Sequence, residues 1–170
     1  MHVRLRPPTV ADVPWLDEAD STPENRGLFN DFGLPRTSHA EQAQKGFIDE
    51  NHGKLIVERI ADGEPLGTVD WRPAMYGPPP ESRAWQLGIS LLPAARGHGY
   101  GAEALRLIAE YLFANTGANR VEGSTDIENI ASQRALEKAG FSREGVNRGA
   151  QFRAGTFHDL VLYSRLRSDP

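Results

Sequence analysis

Hydrophobic and polar positions repeat with two periods along this chain, and each change of period separates strands from helices. Residues 3–6, Val-Arg-Leu-Arg, alternate apolar and basic side chains, which predicts a short edge strand. Apolar runs bounded by turn residues predict further strands in the same way. These strands are predicted over residues 54–60, 65–71, 84–92, 121–125, 141–146 and 157–166.

Helical spacing of apolar residues is clearest over residues 102–115. Leu105, Ile108 and Leu112 recur at the three- and four-residue intervals that place side chains on one face of a helix. The pattern therefore predicts an amphipathic helix packed on the sheet. Gly117 is predicted to end it, because glycine adopts the left-handed conformation that closes many helices.

Three other helical segments are predicted from start and stop signals. Thr9 and Asp12 resemble a capping box at the start of the first segment, and a second segment covers residues 40–50. A third covers residues 129–139, where Gly140-Phe141 suits a Schellman close with its apolar contact. The order is strand, two helical segments, three strands, helix, strand, helix and two strands.

Three segments carry turn residues instead of a regular pattern. Residues 20–37 predict a loop or a broken helix. Residues 73–82 contain Pro78-Pro79-Pro80 and predict a stiff connection that is neither helix nor inner strand. Residues 149–155 are predicted to join the last two strands as a loop. Since such loops vary with function on a fixed scaffold, the candidates for substrate recognition are residues 20–40 and the loops at 73–82 and 149–155.

Composition narrows the function classes. A chain of 170 residues fits one domain over 1–170. The absence of cysteine fits a reducing cytoplasm, and none of the five histidines has a partner four residues away, so a metal site is not expected. The net charge of −4, with scattered basic residues, argues against a nucleic-acid partner. No apolar run approaches the roughly 20 residues that span a bilayer, so we expect no membrane association.

The candidate chemistry begins at Arg96-Gly97-His98-Gly99-Tyr100-Gly101, which directly precedes the long helix. Glycines in such a turn let backbone N–H groups converge on a ligand, and a helix start adds partial positive charge. The stretch therefore predicts an anion site, with phosphate as the expected anion.

Other interpretations of this loop have to be weighed. Gly97, Gly99 and Ala102 satisfy the dinucleotide pattern, with Glu122 about 20 residues further on. A dinucleotide site should follow the first strand of its sheet, however, and about 95 residues precede this loop. A nucleoside-triphosphate loop is excluded, because Ala102-Glu103 stands where Lys-Ser/Thr is needed. A plain tight turn stays open from the loop alone.

Two motifs together carry a family resemblance. The run Leu-Leu-Pro-Ala-Ala-Arg-Gly-His-Gly-Tyr-Gly at 91–101 matches a Q/R-x-x-G-x-G/A loop, and Asn129 to Phe141 read Asn-x-x-Ser-x-x-x-x-Glu-Lys-x-Gly-Phe. With these motifs the chain resembles the GNAT superfamily of acyl-CoA N-acyltransferases, in its RimJ/RimL-like branch. The resemblance implies an α+β fold: one mixed, mostly antiparallel sheet of about seven strands, about four flanking helices, and a V-shaped splay between the fourth and fifth strands.

The resemblance also implies a co-substrate, acetyl-CoA or another acyl-CoA, with no metal. Backbone groups at Ile89 and Leu91 would pair with its pantetheine arm. Main-chain N–H groups between Arg96 and Ala102 would surround its diphosphate, and Asn129 would bond the arm. The implied co-substrate-binding residues are Ile89, Leu91, Arg96, Gly97, Gly99, Tyr100, Gly101, Ala102, Asn129 and Ser132.

For catalysis the resemblance implies direct attack of an amine on the thioester. Leu136 stands where many relatives carry a tyrosine acid, which leaves Ser132 as the implied proton donor to the leaving thiolate. Gln86 and Gln151 stand where glutamate bases occur, and an amide cannot accept a proton. The nearby carboxylates by motif position are Asp70, Asp126 and Glu128, of which Asp126 is the candidate base or water-positioning group.

A weak base favours an amine that deprotonates readily. We therefore expect an α-amine, of a protein N-terminus or a small molecule, as the acceptor. The candidate lining residues are Asn30, Phe32, Trp71, Trp85 and Gln151. A CoA-binding module without activity is an alternative, because Leu136, Gln86 and Gln151 lack proton-handling groups, and a nicotinamide enzyme is a more distant one. Dimers are common in this family, so a homodimer is a further expectation.

Overall fold

One seven-stranded sheet organises the molecule, whose computed structural model describes residues 1–35 and 38–170. The strands run in the order β1-β2-β3-β4-β5-β7-β6, and β4–β5 is the parallel pair among antiparallel neighbours. The strands are Val3–Arg6 (β1), Gly53–Arg59 (β2), Pro65–Met75 (β3), Arg83–Leu91 (β4), Arg120–Asp126 (β5), Ser142–Arg153 (β6) and Thr156–Leu166 (β7). The α-helices are Val13–Ala19 (α1), Pro23–Arg26 (α2), Ala40–Lys45 (α3), Tyr100–Asn115 (α4) and Ile130–Lys138 (α5).

The parallel pair separates soon after it forms. Only Trp85 to Leu87 of β4 pair with β5, at Val121 to Gly123, although β4 continues to Leu91 and β5 to Asp126. This opening is called the β4–β5 gap below. The α+β sheet and the splay between the fourth and fifth strands are thus confirmed.

The two faces of the sheet differ in character because side chains alternate along a strand. Val69, Trp71, Trp85 and Leu87 point to one face, where they form the main core with α4 and α5. On the opposite face a smaller cluster of Leu16, Phe47 and Ile56 packs under α1 and α3. The rest of that second face is polar where it approaches the gap. We call it the open face.

Several local predictions are confirmed at atomic detail. The Asp12 carboxylate accepts a hydrogen bond from the Thr9 N–H at 2.7 Å, as the proposed capping box requires. At the end of α5, Gly140 has φ of 86° and the Phe141 N–H donates to the Leu136 carbonyl at 3.0 Å. These are the conformation and the bond of a Schellman motif.

The proline-rich segment is less of a connection than expected, because its first residues, 73–75, belong to β3. β3 continues to Met75, and Pro73 pairs in register with Trp85 of β4. Proline is tolerated there because β2 pairs with β3 only as far as Trp71, so this part of β3 has a neighbour on one side. A short 3-10 turn at Pro80–Ser82 then leads into β4.

The predicted loop over 149–155 is also wrong. The β6–β7 hairpin closes in a two-residue turn, Ala154-Gly155, where both residues have positive φ. Gly149 lies instead within a register shift between Asn147 and Gln151. Gly155 thus lies in a tight turn and Gly149 in a bulge. Both features require backbone angles that glycine adopts readily.

Two helix boundaries differ as well. The predicted helix over 40–50 ends at Lys45, because Gly46 has φ of 93° and Ile48 forms a bridge with Gly53. α4 ends at Asn115 through Thr116, whose hydroxyl donates to the Leu112 carbonyl at 2.7 Å, and Gly117 has no positive φ. Within 20–37, α2 covers 23–26 as a fragment of helix, and residues 36 and 37 lie outside the described residues.

Candidate active site

The glycine-rich loop forms an open cradle at the start of α4. Gly97 and Gly99 have φ of 82° and 84°, and a Cβ added to either would meet no atom within 4 Å. The first helical bond here is Glu103 N–H to the Gly99 carbonyl, so the N–H groups of residues 100–102 have no partner within the helix. Main-chain donors at a helix start of this kind suit an anion such as phosphate.

The start of α4 lies against the β4–β5 gap. A Cβ on Gly101 would be 3.6 Å from the Leu91 side chain, 3.8 Å from Ile89 and 4.0 Å from Ala135 of α5. Gly101 therefore packs between β4 and α5. The cradle is held at the open end of the gap.

Two carbonyl groups mark the exposed edge of β4. The Asn30 amide donates to the Ile89 carbonyl at 3.4 Å, and the Arg96 Nε donates to the Leu91 carbonyl at 2.9 Å. Alternate residues of a strand direct their backbone groups to opposite neighbours. The even-numbered Leu92 donates its N–H to the Leu66 carbonyl of β3, whereas Ile89 and Leu91 are odd-numbered. The backbone groups of Ile89 and Leu91 therefore face the gap, where a ligand with amide groups could pair with them.

Arg96 has a role that the motif did not reveal. Its guanidinium also donates to the Asn25 carbonyl at 2.6 Å and to the Glu24 carbonyl at 3.2 Å. Its own N–H is engaged with the Pro93 carbonyl at 3.2 Å. Arg96 therefore ties α2 to the end of β4, and the main-chain donors of the cradle begin after it.

The start of α5 brings the second motif to the same place. The Asn129 side chain accepts from the Ser132 N–H at 3.2 Å, which makes it the helix cap. Ser132 precedes Ala135 by three residues, so it shares the helix face that meets Gly101. Its hydroxyl makes no hydrogen bond to another residue within 1–35 and 38–170. The donor role of Ser132 stays a prediction.

Leu136 closes the inner end of the gap. A Cβ on Gly123 of β5 would be 2.9 Å from the Leu136 side chain, which is buried. Leucine at this position supplies no proton donor to the gap. Ser132, one turn earlier on α5, is the hydroxyl nearest to it along the helix.

Asp126 is occupied by a buried network, which argues against its predicted role as a base. Its side chain is 1% exposed, one oxygen pairs with Arg153, and the other accepts from the Glu128 N–H at 2.8 Å. The His158 Nδ1 lies 3.3 Å from the carboxylate, and its Nε2 donates to the Arg153 carbonyl at 3.1 Å. The carboxylate is therefore a structural partner that anchors the turn between β5 and α5.

Arg153 could not be predicted as part of this site from the sequence, because its partners are remote along the chain. Its guanidinium donates to the Leu28 carbonyl at 3.0 Å and lies 5.3 Å from the centre of the Phe29 ring. The β6–β7 hairpin is thereby joined to the segment that follows α2. No local pattern indicates such a contact, because residues 28 and 153 meet only in the folded chain.

The predicted lining residues separate into two groups. Asn30 reaches the gap through Ile89, and Phe32 on the same segment is 41% exposed. Trp71 and Trp85 do not reach it, which corrects their predicted role. Their rings lie in the main core, because the alternation of side chains along a strand turns them toward α4. The Trp71 ring is 5.9 Å from the Tyr111 ring, and the Trp85 Nε1 is 3.2 Å from the Thr116 hydroxyl. Gln151 has a buried Oε1 without a partner among the described residues.

Polar side chains form a row across the open face. Arg72 of β3 donates to Gln86 of β4 at 2.9 Å, and the Gln86 amide lies 3.5 Å from the Ser124 hydroxyl of β5. Gln86 therefore links the three strands beside the gap. In the part of the chain that the structure describes, no group of histidine and acidic residues is arranged to hold a metal ion.

Charged groups also stabilise the paired end of the two strands. The Tyr76 hydroxyl donates to buried Glu122 at 2.6 Å, which raises the pKa of that tyrosine. Arg120 donates to Glu144 of β6 at 2.7 Å, and this bond lowers the pKa of Glu144 to about 2. β5 is thus fixed to its neighbours below the gap.

Comparisons with known proteins place these features in a family. A family model described as an acetyltransferase (GNAT) domain matches residues 2–142. The probable N-acetyltransferase YjcK of Bacillus subtilis is 27% identical, covering 98% of this chain and 95% of its own. The putative ribosomal N-acetyltransferase YdaF of the same organism is 31% identical over 52% of this chain and 48% of its own.

Solved structures share the fold. The spermidine N-acetyltransferase of Vibrio cholerae, in complex with CoA and spermine, has a TM-score of 0.83 at 20% identity, covering 99% of this chain and 97% of its own. RimL, a ribosomal L7/L12 α-N-protein acetyltransferase in complex with CoA, has a TM-score of 0.81 at 18% identity, covering 98% and 94%. Along the described residues, no helix is long and apolar enough to cross a membrane. The chain belongs to the GNAT family and is an N-acetyltransferase whose co-substrate is acetyl-CoA.

Proposed function

We propose that this protein transfers an acetyl group from acetyl-CoA to the α-amine of a protein N-terminus or of a small molecule. The observation that carries the proposal is the glycine cradle at the start of α4, held at the open end of the β4–β5 gap. The diphosphate would bind the main-chain donors of residues 97–102. The pantetheine arm would follow the edge of β4 at Ile89 and Leu91, with Asn129 beside it.

The gap would position a thioester for direct attack. An N–H near Leu91 would polarise the thioester carbonyl, because a donor aimed at developing negative charge stabilises the transition state. Ser132, on the face of α5 that meets Gly101, would give a proton to the departing thiolate. The attacking nitrogen would come from the open face, through the gap.

The groups beside the gap favour a weakly basic amine. Gln86 is held between Arg72 and Ser124, and Asp126 is buried with Arg153, so neither serves as a base. Freeing a lysine amine at pH 7 costs about 4.6 kcal/mol, whereas an α-amine costs roughly 1 to 1.4 kcal/mol. An α-amine can therefore react without a strong base. One of the similar proteins supports this choice, since RimL is named for α-N-protein acetylation.

Thiol release from acetyl-CoA tests the proposal. The acceptors are a peptide with a free N-terminus and the same peptide with a blocked N-terminus and one lysine, both at pH 7. We expect turnover on the first and much slower turnover on the second. Equal or faster turnover on lysine would contradict the α-amine assignment. Tight CoA binding without turnover on any amine would contradict the enzyme assignment in favour of a CoA-binding module.

A further inference from the structure

A histidine directly before α3 is buried and paired with a carboxylate of α1. The His39 Nδ1 lies 2.8 Å from the Asp17 Oδ1, and the His39 backbone N–H donates to the same oxygen at 2.8 Å. The Ser38 hydroxyl donates to the other carboxylate oxygen at 2.7 Å. The His39 N–H, the Ser38 hydroxyl and the His39 ring together lower the pKa of Asp17 to about 2. Asp17 is therefore an anion at neutral pH.

The other ring nitrogen of His39 faces β2. The Lys54 Nζ lies 3.0 Å from the His39 Nε2, and an ammonium can only donate to it. The imidazole thus carries its proton on Nδ1, toward Asp17, and its lone pair on Nε2. A carboxylate that holds a histidine in this tautomer is the arrangement that proton-accepting histidines have in enzymes.

A small cavity on the open face joins this pair to β4. Its polar lining includes His39, Lys54, Thr68 of β3 and Ser90 of β4, and residues of α1 complete the wall. The volume is about 10 Å³, which is space for one water molecule with polar groups to bind it. Ser90 directly precedes Leu91, whose backbone faces the gap. The cavity therefore reaches the strand that borders the gap, on the face from which the amine would approach.

Charged groups on the packed elements determine what a proton on His39 would meet. From α1, Asp17 contacts Nδ1 and the Asp20 Oδ2 lies 3.6 Å from Nε2. From β2, Lys54 contacts Nε2, and Asp70 of β3 stands opposite Lys54 in the register. A proton that moves to Nε2 thus creates a positive ring beside two carboxylates, so the new charge is not left unpaired.

We propose that His39 accepts the proton that the substrate ammonium must lose, through one water in this cavity and Lys54. The inference rests on the proposed function and deepens it. The ammonium gives a proton to the water, the water gives one to Lys54, and Lys54 passes one to the His39 Nε2 and stays an ammonium. The freed nitrogen forms a C–N bond with the thioester carbon as the C–S bond breaks, and a second proton moves from nitrogen to sulfur. His39 then releases its proton to solvent, so the products are an amide, a thiol and one proton.

His39→Asn tests the proposal, because the asparagine amide can keep the bond to Asp17 but has no nitrogen that accepts a proton. The measurement is kcat/KM for a peptide with a free N-terminus, from about pH 6 to about pH 9. An α-amine has a pKa of about 7.7 to 8.0, so roughly one molecule in ten is uncharged at pH 7. The variant can use only this fraction. We therefore expect a loss of about tenfold at pH 7, which disappears by about pH 9.

An aromatic amine that is uncharged at pH 7 separates proton transfer from structure. It has no ammonium proton to lose, and the one proton that its nitrogen gives up goes to sulfur, so His39→Asn should lose little with it. The KM for acetyl-CoA should also stay unchanged. Asp17→Asn is the second variant. It removes the anion that orients the ring, and it should show a smaller loss with the same pH dependence.

The matched control is His52→Asn, the same substitution at an exposed histidine before β2. It should leave the pH profile unchanged. A wild-type profile in His39→Asn would overturn the proposal, and so would an equal loss with the uncharged amine, which a purely structural effect would produce. If His39→Asn does not fold, the profile of Asp17→Asn decides by the same criteria. A wild-type protein that transfers no acetyl group to any amine would overturn the proposed function itself, which is a separate result.

Discussion

At the scale of single residues, glycine serves this chain in two distinct ways. Gly97 and Gly99 are required by backbone angles, since φ near +83° is costly for other residues while space around them is open. Gly88 is required by space, because a side chain there would collide with Asp70. The motif in the sequence predicts the need for Gly97 and Gly99. The need for Gly88 could not be predicted, because the collision arises only when β3 and β4 pair.

Gly99→Ala should lower the free energy of unfolding by about 1 kcal/mol, because alanine is strained at its left-handed angles. It should also raise the KM for acetyl-CoA, since relaxation of the turn moves the main-chain donors. Chemical denaturation and steady-state kinetics measure both effects. Gly117→Ala is the matched control: its φ is not positive and its surroundings are open, so it should be neutral or stabilising. Equal losses in both variants would contradict this account.

At the scale of elements, hydrophobic patterns predicted the strands and the long helix correctly. Proline and glycine, in contrast, led to wrong predictions of a connection or loop at two places. Pro73 suggested a connection, yet it lies on β3 where β2 no longer pairs. Gly149 and Gly155 suggested one loop, yet they mark a bulge and a two-residue turn. Proline and glycine report local backbone freedom only. Whether a strand continues past them depends on its neighbours, which lie elsewhere in the sequence.

Arg96→Ala should loosen the segment that contains α2. Three carbonyls, at Leu91, Asn25 and Glu24, would lose their shared donor. We expect faster proteolysis within residues 20–35 and higher KM values for both acetyl-CoA and the amine. Limited proteolysis with mass spectrometry, together with kinetics, measures this. Arg148→Ala, on the exposed part of β6, is the control and should change neither the rate of proteolysis nor the KM values. Cleavage of Arg96→Ala at the wild-type rate would contradict the role of Arg96 in holding α2 to the end of β4.

The link between β5 and β6 should make stability depend on pH. Arg120 and Ser164 hold the pKa of Glu144 at about 2, below its ordinary 4.5. A lowered native-state pKa adds stability above pH 4.5, and this contribution disappears as the pH falls toward 2. Glu144→Gln should therefore be less stable than wild type at pH 7, by up to about 1 kcal/mol for a partly exposed pair. Denaturation curves of the two proteins should converge near pH 2; a constant difference would contradict this.

At the scale of the whole molecule, two separate motifs predicted the family. Both are needed for the site, because the two segments that carry them meet beside the β4–β5 gap. The cradle at 97–102 and the start of α5 are distant in sequence, and they meet at Gly101 and Ala135. Their shared location could be predicted only through the family resemblance. The buried Asp126–Arg153 pair could not be predicted, because burial of a charge depends on the completed fold.

We expect residues 1–170 to unfold in a single cooperative transition, as one domain should. CoA at about 100 times its Kd should stabilise the native state by about 2.7 kcal/mol and raise the Tm by about 5 to 11 °C. Calorimetry at several CoA concentrations measures both quantities. Two separate transitions, with only one shifted by CoA, would contradict the single-domain assignment.

A crystal structure of the protein with CoA is the decisive experiment. We expect the diphosphate to contact main-chain N–H groups of residues 97–102 at the start of α4. We also expect the pantetheine arm to enter the β4–β5 gap beside Ile89 and Leu91. A diphosphate bound anywhere else, or an arm outside the gap, would contradict this binding mode.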